Sequence, residues 1–141
     1  VVTYESLHKK SKEKMKKKLK EITKGNRPIS SQQLAQELKL FITGWVNYYR
    51  IGRMKIFLRE TDQWLRRRIR MIYWKRWKRV RTRYRNLQKL GINKYTWQWA
   101  NTRKSYWHTA NSFILTRTLT NDRLRSWGFI SALDYYNSIN L

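Results

Sequence analysis

Apolar residues return every three or four positions along most of the chain, which is the spacing of one helix face. Leu7, Met15, Leu19 and Ile22 predict a first helix over residues 6–23, with lysines on its other side. The run KGNRP, Lys24 to Pro28, supplies stop signals. Ser30 with Gln33 three residues on fits a capping box that opens a second helix. That helix runs to about Tyr49 with the stripe Leu34, Leu38, Phe41, Trp45 and Tyr48. Gly52 marks a break, and a third helix starts near Lys55 with Leu58, Thr61, Leu65, Ile69 and Ile72 facing inward. The next position on that stripe is Arg76, which fails, and a second stripe takes over: Tyr73, Trp77, Val80, Tyr84 and Leu87. The new stripe is rotated by about 80°, so the helix bends there or a new one begins. A domain boundary is set near Lys78. Gly91 reads as a helix-ending residue and Asn93 as the next N-cap. Beyond it the pattern is choppy and aromatic, with a short capped helix over 120–128 and a last helix over 131–140.

Five Gly, one Pro and no strand-like alternation make the fold all-α: about three helices in a small bundle, then short helices forming a second small region. Hydrophobic residues make up 40% of the 141, enough for a modest core and against wholesale disorder. Charge changes the picture more. The 33 Lys and Arg against 8 Asp and Glu leave +25, and the pI is near 11.0. Charges this dense repel one another, most of all between Trp64 and Arg85, where eleven cations, three Trp and two Tyr occur without one acid. The balance calls for an anionic partner, nucleic acid first and an anionic membrane surface second. The aromatic residues favour nucleic acid, because rings beside Arg stack on bases.

Several chemistries are excluded. Nucleotidyl transfer needs paired carboxylates holding two metal ions about 4 Å apart, and here the acids are scattered. Glu60 and Asp62 alone are close, two apart on a helix and pointing in different directions; they read as partners for neighbouring Arg. His8 and His108 stand a hundred residues apart without Cys or acidic companions, so no metal site is expected. Zero Cys excludes disulfides and thiolate sites, and the five isolated Gly form no phosphate-cradling loop. No apolar run reaches the roughly 20 residues of a membrane-spanning helix. The start lacks both a signal-peptide order and an initiating Met, and reads as part of a longer protein. The chain is expected not to be an enzyme by itself and to hold no cofactor.

Three runs are specific in their order: FITGWVNYYRI from Phe41, LRETDQWLRRRIRMIYWKRWKR from Leu58 and LGINKYTWQWANTRKSYW from Leu90. Together they resemble the C-terminal region of bacterial group II intron reverse transcriptases, the intron-encoded maturases. Gly44 to Tyr49 looks like the centre of the maturase-specific domain, and Asp62 to Arg68 like its final helix. WANTRKSYW and LTNDRLRSWGF, from Trp99 and Leu119, look like the tail that follows. The resemblance implies a thumb, or domain X, over residues 1–78 that grips intron RNA and the RNA template–DNA primer duplex. It implies a helical DNA-binding tail over 79–141 that contacts target DNA, with roles in RNA splicing and retrohoming. Fingers and palm with a Tyr-x-Asp-Asp motif and its Mg2+ would lie upstream, making the parent an RNA-directed DNA polymerase. The Cys- and His-containing endonuclease domain of some relatives has no counterpart here. Location would be the bacterial cytoplasm, with the nucleoid or a ribonucleoprotein.

The candidate nucleic-acid contacts are Lys9, Lys10, Lys12, Lys16, Lys17 and Lys20 on the first helix, and Tyr49 at the end of the second. Further along they are Arg66, Arg67, Arg68, Arg70, Trp74, Lys75, Lys78, Arg79, Arg81, Arg83 and Arg85, then Arg103 and Lys104 between Trp99 and Trp107. Each has a plainer reading. The lysines also suit a solvated face, and Arg103 and Lys104 also suit tail packing by cation–π contact. Trp45 and Tyr48, on the apolar stripe, are expected in the core, and Gly44 is expected to permit close helix packing. If the third helix continued past Trp74, then Arg67, Arg70, Trp74, Lys78 and Arg81 would form one basic ridge opposite Leu65, Ile69 and Ile72. Trp74 is then either a stacking platform or a packing anchor. Two other classes fit the charge alone: a ribosomal-protein-like basic RNA-binding module, and a basic amphipathic protein on a membrane surface.

Overall fold

The computed structural model describes residues 4–140, with side chains from Lys9 onward, so Leu7 on the first stripe lies outside the described side chains. Nine α-helices are described, with no strand: α1 Tyr4–Ile22, α2 Ser31–Tyr49, α3 Lys55–Arg76, α4 Val80–Lys89, α5 Thr96–Ala100, α6 Tyr106–Ala110, α7 Phe113–Thr118, α8 Asn121–Ser126 and α9 Ala132–Ile139. The chain forms two compact units, one of residues 1–62 with 128–141 and one of residues 63–127. Helix α3 contributes to both.

In the first unit α2 packs on α1 and on α9. Met15, Leu19 and Ile22 of α1 meet a core of Leu34, Ala35, Leu38, Ile42 and Val46 from α2. Ser30 caps α2 by accepting from Gln33 N at 3.1 Å, as the capping pattern predicts. The α2 stripe itself is turned from the expected one. Tyr48 is 80% exposed, and Trp45 is half-buried, tilted against Tyr49 at 4.4 Å and Phe57 at 5.7 Å. Two interleaved faces on α2 both show helical spacing, and the aliphatic one wins the core, leaving the aromatic one at its edge. A Cβ on Gly44 would meet nothing within 4 Å, so Gly44 is not there for close packing.

Asp62 closes this unit. It accepts from Ser131 Oγ at 2.7 Å, Ala132 N at 2.8 Å and Leu133 N at 3.0 Å, and so satisfies the N-terminus of α9. Its partners are therefore a helix start and not the neighbouring arginines. Tyr136 Oη donates to Gly52 O at 2.7 Å and Tyr135 Oη to Asn47 Oδ1 at 2.8 Å, fixing α9 along α2 and the loop that follows it.

In the second unit Leu65, Ile69, Ile72 and Trp74 of α3 are buried with Leu87 of α4 and with Ile114, Leu115, Leu119 and Leu124 of the later helices. The change of stripe after Ile72 marks a real end: α3 stops at Arg76 and α4 starts at Val80. Gly91 lies at φ 105 and ends α4, with Ile92 N bonded to Leu87 O at 3.0 Å and Gly91 N to Gln88 O at 3.1 Å. This is the Schellman pattern, which needs a left-handed residue. Asn93 does not cap the next helix. Tyr95 stands at that position with φ 57 and no side-chain cap.

Candidate nucleic-acid interface

On the first unit, Lys9, Lys10, Lys16, Lys17 and Lys20 are exposed on α1, opposite Met15, Leu19 and Ile22. Lys12 is half-buried, its Nζ 5.1 Å from the centre of the Phe57 ring. Alternation of core and lysine positions on one helix makes this face, and Glu13 and Glu21 are its only acids from Lys9 onward. Tyr49 is half-buried and donates from its hydroxyl to Ser11 Oγ at 2.8 Å. It serves the packing of α2 on α1.

The candidate cations of the second unit fall into three groups. One group holds the fold. Arg67 donates from Nε and Nη2 to Trp107 O at 3.0 and 2.9 Å, with its guanidinium 3.9 Å from the Trp107 ring centre. Arg70, 7% exposed, donates from Nε to Leu119 O at 2.7 Å and from Nη2 to Asn121 Oδ1 at 2.9 Å. Arg83, 8% exposed, donates from Nε and Nη2 to Trp74 O at 3.3 and 3.1 Å and lies 4.4 Å over the Trp74 ring. Trp74 is fully buried, so it is an anchor of this unit and not a stacking platform.

The second group is half-buried. Arg68 lies 5.5 Å over Trp64, and burial lowers its pKa. Arg66 lines a polar pocket of about 610 Å3 with Arg70, Asn111 and Thr116. Burial first, and the Arg66 charge second, push Arg70 down to about 10, so Arg70 keeps its charge at neutral pH. The third group is exposed: Lys75, Lys78, Arg79, Arg81, Arg85, Arg103 and Lys104.

The expected basic ridge is thus not assembled. Lys78 and Arg81 lie beyond the end of α3, and Arg67, Arg70 and Trp74 face protein instead of solvent. A different row replaces it on α4, where Arg81, Arg85 and Lys89 are exposed at intervals of four. Lys89 was legible as its third member once a helix starts at Val80. Lys104 stands 5.9 Å over Trp99, and Trp99 meets Phe113 edge-on at 4.9 Å.

Among the described residues no group of three His, Cys, Asp or Glu is placed to hold a metal ion. No described helix is long and apolar enough to cross a membrane. The molecule is therefore an all-helical protein with an exposed lysine face and arginines stitched into its short-helix unit. The family profile described as group II intron, maturase-specific domain matches residues 12–91, more than half of the chain, and the chain belongs to that family. Membership implies a role in intron RNA binding and splicing. The match takes in most of α1 and all of α2, α3 and α4. No curated protein matches the chain.

Proposed function

We propose that this chain is the nucleic-acid-gripping C-terminal part of a bacterial group II intron reverse transcriptase. Residues 1–78 act as the thumb, binding intron RNA and the RNA template–DNA primer duplex, and 79–141 contact target DNA during retrohoming. The upstream fingers and palm of the same protein carry the polymerase and its Mg2+. The assembly works in the cytoplasm as a ribonucleoprotein.

One observation carries this reading: the lysine face of α1, exposed and nearly free of acids, falls largely inside the residues matched to the maturase-specific family. So dense a face of exposed like charges repels itself, and an RNA backbone would neutralise it. The thumb reading differs from that of a generic basic module in its selectivity. The test is binding to a structured group II intron RNA and to a scrambled RNA of equal length, over a range of salt. We expect preference for the intron and a log–log salt slope of at least about 5 in magnitude, from about 0.7 to 0.9 per phosphate contacted. Equal affinity for both RNAs would leave only a generic polyanion binder, and a slope near 1 would mean that most of the charge is idle.

A further inference from the structure

The second unit carries a pocket of about 410 Å3 that the contacts described above leave unused. Its lining includes the rings of Tyr95, Trp99 and Phe113 together with Lys94 and Arg117. Large rings are normally drawn into the core, yet Tyr95 is 71% exposed and Phe113 50%. The Arg117 guanidinium lies 5.4 Å over the Phe113 ring and Lys104 Nζ 5.9 Å over Trp99. From Gln63 to Asn121 there is no Asp or Glu, and among the described residues these cations have no salt bridge. Tyr95 also has a φ of 57, a left-handed conformation that costs free energy for a bulky residue. Exposed rings around a concavity, with unpaired cations at its rim, match one ligand chemistry well. A nucleobase stacks on rings while its flanking phosphates meet Lys and Arg. A flat membrane surface would not fill a concave pocket in this way.

We infer that the pocket takes an unpaired base of single-stranded RNA, stacked against Tyr95 and the Trp99–Phe113 pair, with the adjoining phosphates on Lys94 and Arg117. The choice of RNA as the polymer rests on the intron-RNA role that family membership implies, and it adds a single-stranded RNA contact to the target-DNA contact proposed for residues 79–141. None of these five residues belongs to the lysine face or to the arginine contacts that hold the unit.

The experiment uses the full chain and a short unstructured oligoribonucleotide carrying one iodouridine, photo-crosslinked and mapped by mass spectrometry. Crosslinks are expected on Tyr95, Trp99 or Phe113. The decisive variant is Tyr95→Asn. Asn tolerates left-handed backbone, so this change removes the ring while relieving strain. Melting temperature should hold or rise, while affinity for the oligoribonucleotide falls about tenfold, the lower part of the range for stacking on one base. Phe113→Leu keeps apolar bulk, removes the π face and should weaken binding in the same direction. Affinity for fully paired RNA should be unchanged by either variant. Unchanged oligoribonucleotide binding in both variants, or crosslinks confined to α1, would overturn the pocket while leaving the intron-RNA reading standing. Tighter binding of the same sequence as DNA, or a variant effect seen only with anionic vesicles, would also overturn it. Failure of the unaltered chain to prefer intron RNA, with the crosslinks still in place, would count against the broader reading alone.

Discussion

In the unit built from α1, α2 and α9 the buried charge is a carboxylate, Asp62, while in the unit of residues 63–127 the buried charges are the guanidiniums of Arg70 and Arg83. The difference follows from which helix ends each unit must satisfy. Asp62 accepts from the unpaired N–H groups at the start of α9. The other unit contains α5 to α8, each only five or six residues long. The last four carbonyls of any helix lack an internal partner, so very short helices leave a large share of their carbonyls to be met from outside. Arginine supplies several donors in a rigid fork. Arg67, Arg70 and Arg123 bond carbonyls of the short helices α6 and α7 and their caps, at Trp107, Leu119 and Thr118, and Arg83 bonds Trp74 O in the last turn of α3. Positive charge near helix C-termini is also favoured by the helix dipole. The density of cations between Trp64 and Arg85 therefore has two origins. Part of it builds the short-helix unit, and only the exposed remainder stands ready for a phosphate backbone. Lysines predominate on α1, where a mobile, hydrated ammonium suits solvent.

The largest effect is expected at Asp62. Asp62→Ala leaves two backbone N–H groups and one hydroxyl without their partner, with the neighbouring backbone partly buried. We expect a loss of about 3 kcal/mol, from the cost of unsatisfied donors and of a lost cap. Urea unfolding followed by hydrogen exchange should place the loss in α9 and α2. Equal destabilisation of α4 would show that the carboxylate does not belong to one unit.

Next in size is Arg83→Lys, which preserves charge and removes the fork. Lysine can reach Trp74 O with one donor but loses the second bond and the planar stack on the Trp74 ring. A loss of about 1 to 2 kcal/mol is expected, read in the exchange of α4 amides. If the lysine variant is as stable as the parent, charge alone matters and the fork does not.

How far the sequence carried these conclusions differs between the same two units. The α3 stripe of Leu58, Thr61, Leu65, Ile69 and Ile72 is buried throughout, because one long helix with one apolar face has only one way to hide it. The caps at Ser30 and Thr120 were equally legible, and each side chain bonds an N–H three residues on; Ser131 caps α9 in the same way. On α2 two faces had helical spacing, and periodicity alone could not choose the one holding Ile42 and Val46. Among the candidate contacts, the α1 lysines other than Lys12 lie on an exposed face, as their alternation with core residues on the same helix predicts. Arg67, Arg70 and Arg83 face protein instead, and a cation that bonds a carbonyl forty or fifty positions away, as Arg67 and Arg70 do, leaves no local signature. Nor does an exposed ring in left-handed backbone, such as Tyr95.

A third test asks whether exposed cations behave alike on both units. Changing Lys9, Lys10 and Lys17 together to Gln should lower the salt slope for intron RNA by about 2 to 3, from about 0.7 to 0.9 for each phosphate released. Melting temperature should hold or rise as self-repulsion falls. Arg81, Arg85 and Lys89 changed together should have the same signature if the α4 row also meets phosphate. Arg67→Gln should do the reverse, lowering stability while leaving most of the slope. A triple lysine variant with an unchanged slope would reduce the α1 face to a solvated one.

The smallest effect is expected from acid. Arg27 and Glu37 form a two-bond ion pair at 2.7 and 3.0 Å, and Arg27 also donates to Ile22 O at 2.8 Å at the end of α1. The hydrogen bond from Arg27 holds Glu37 below its ordinary value of 4.5. In the unfolded chain Glu37 therefore takes up its proton at higher pH than in the folded one. Its contribution is fully present above about pH 4.5 and is lost as pH falls through the depressed folded value. Both side chains are about 30% exposed, so water screens the pair, and its contribution should stay under about 1 kcal/mol. Exchange of α1 and α2 amides should quicken as pH falls through that range, after correction for the intrinsic exchange rate. Glu37→Gln should flatten this dependence without altering α4. An α4 dependence of equal size would mean that acid acts on the chain as a whole, through its net charge, and not through this pair.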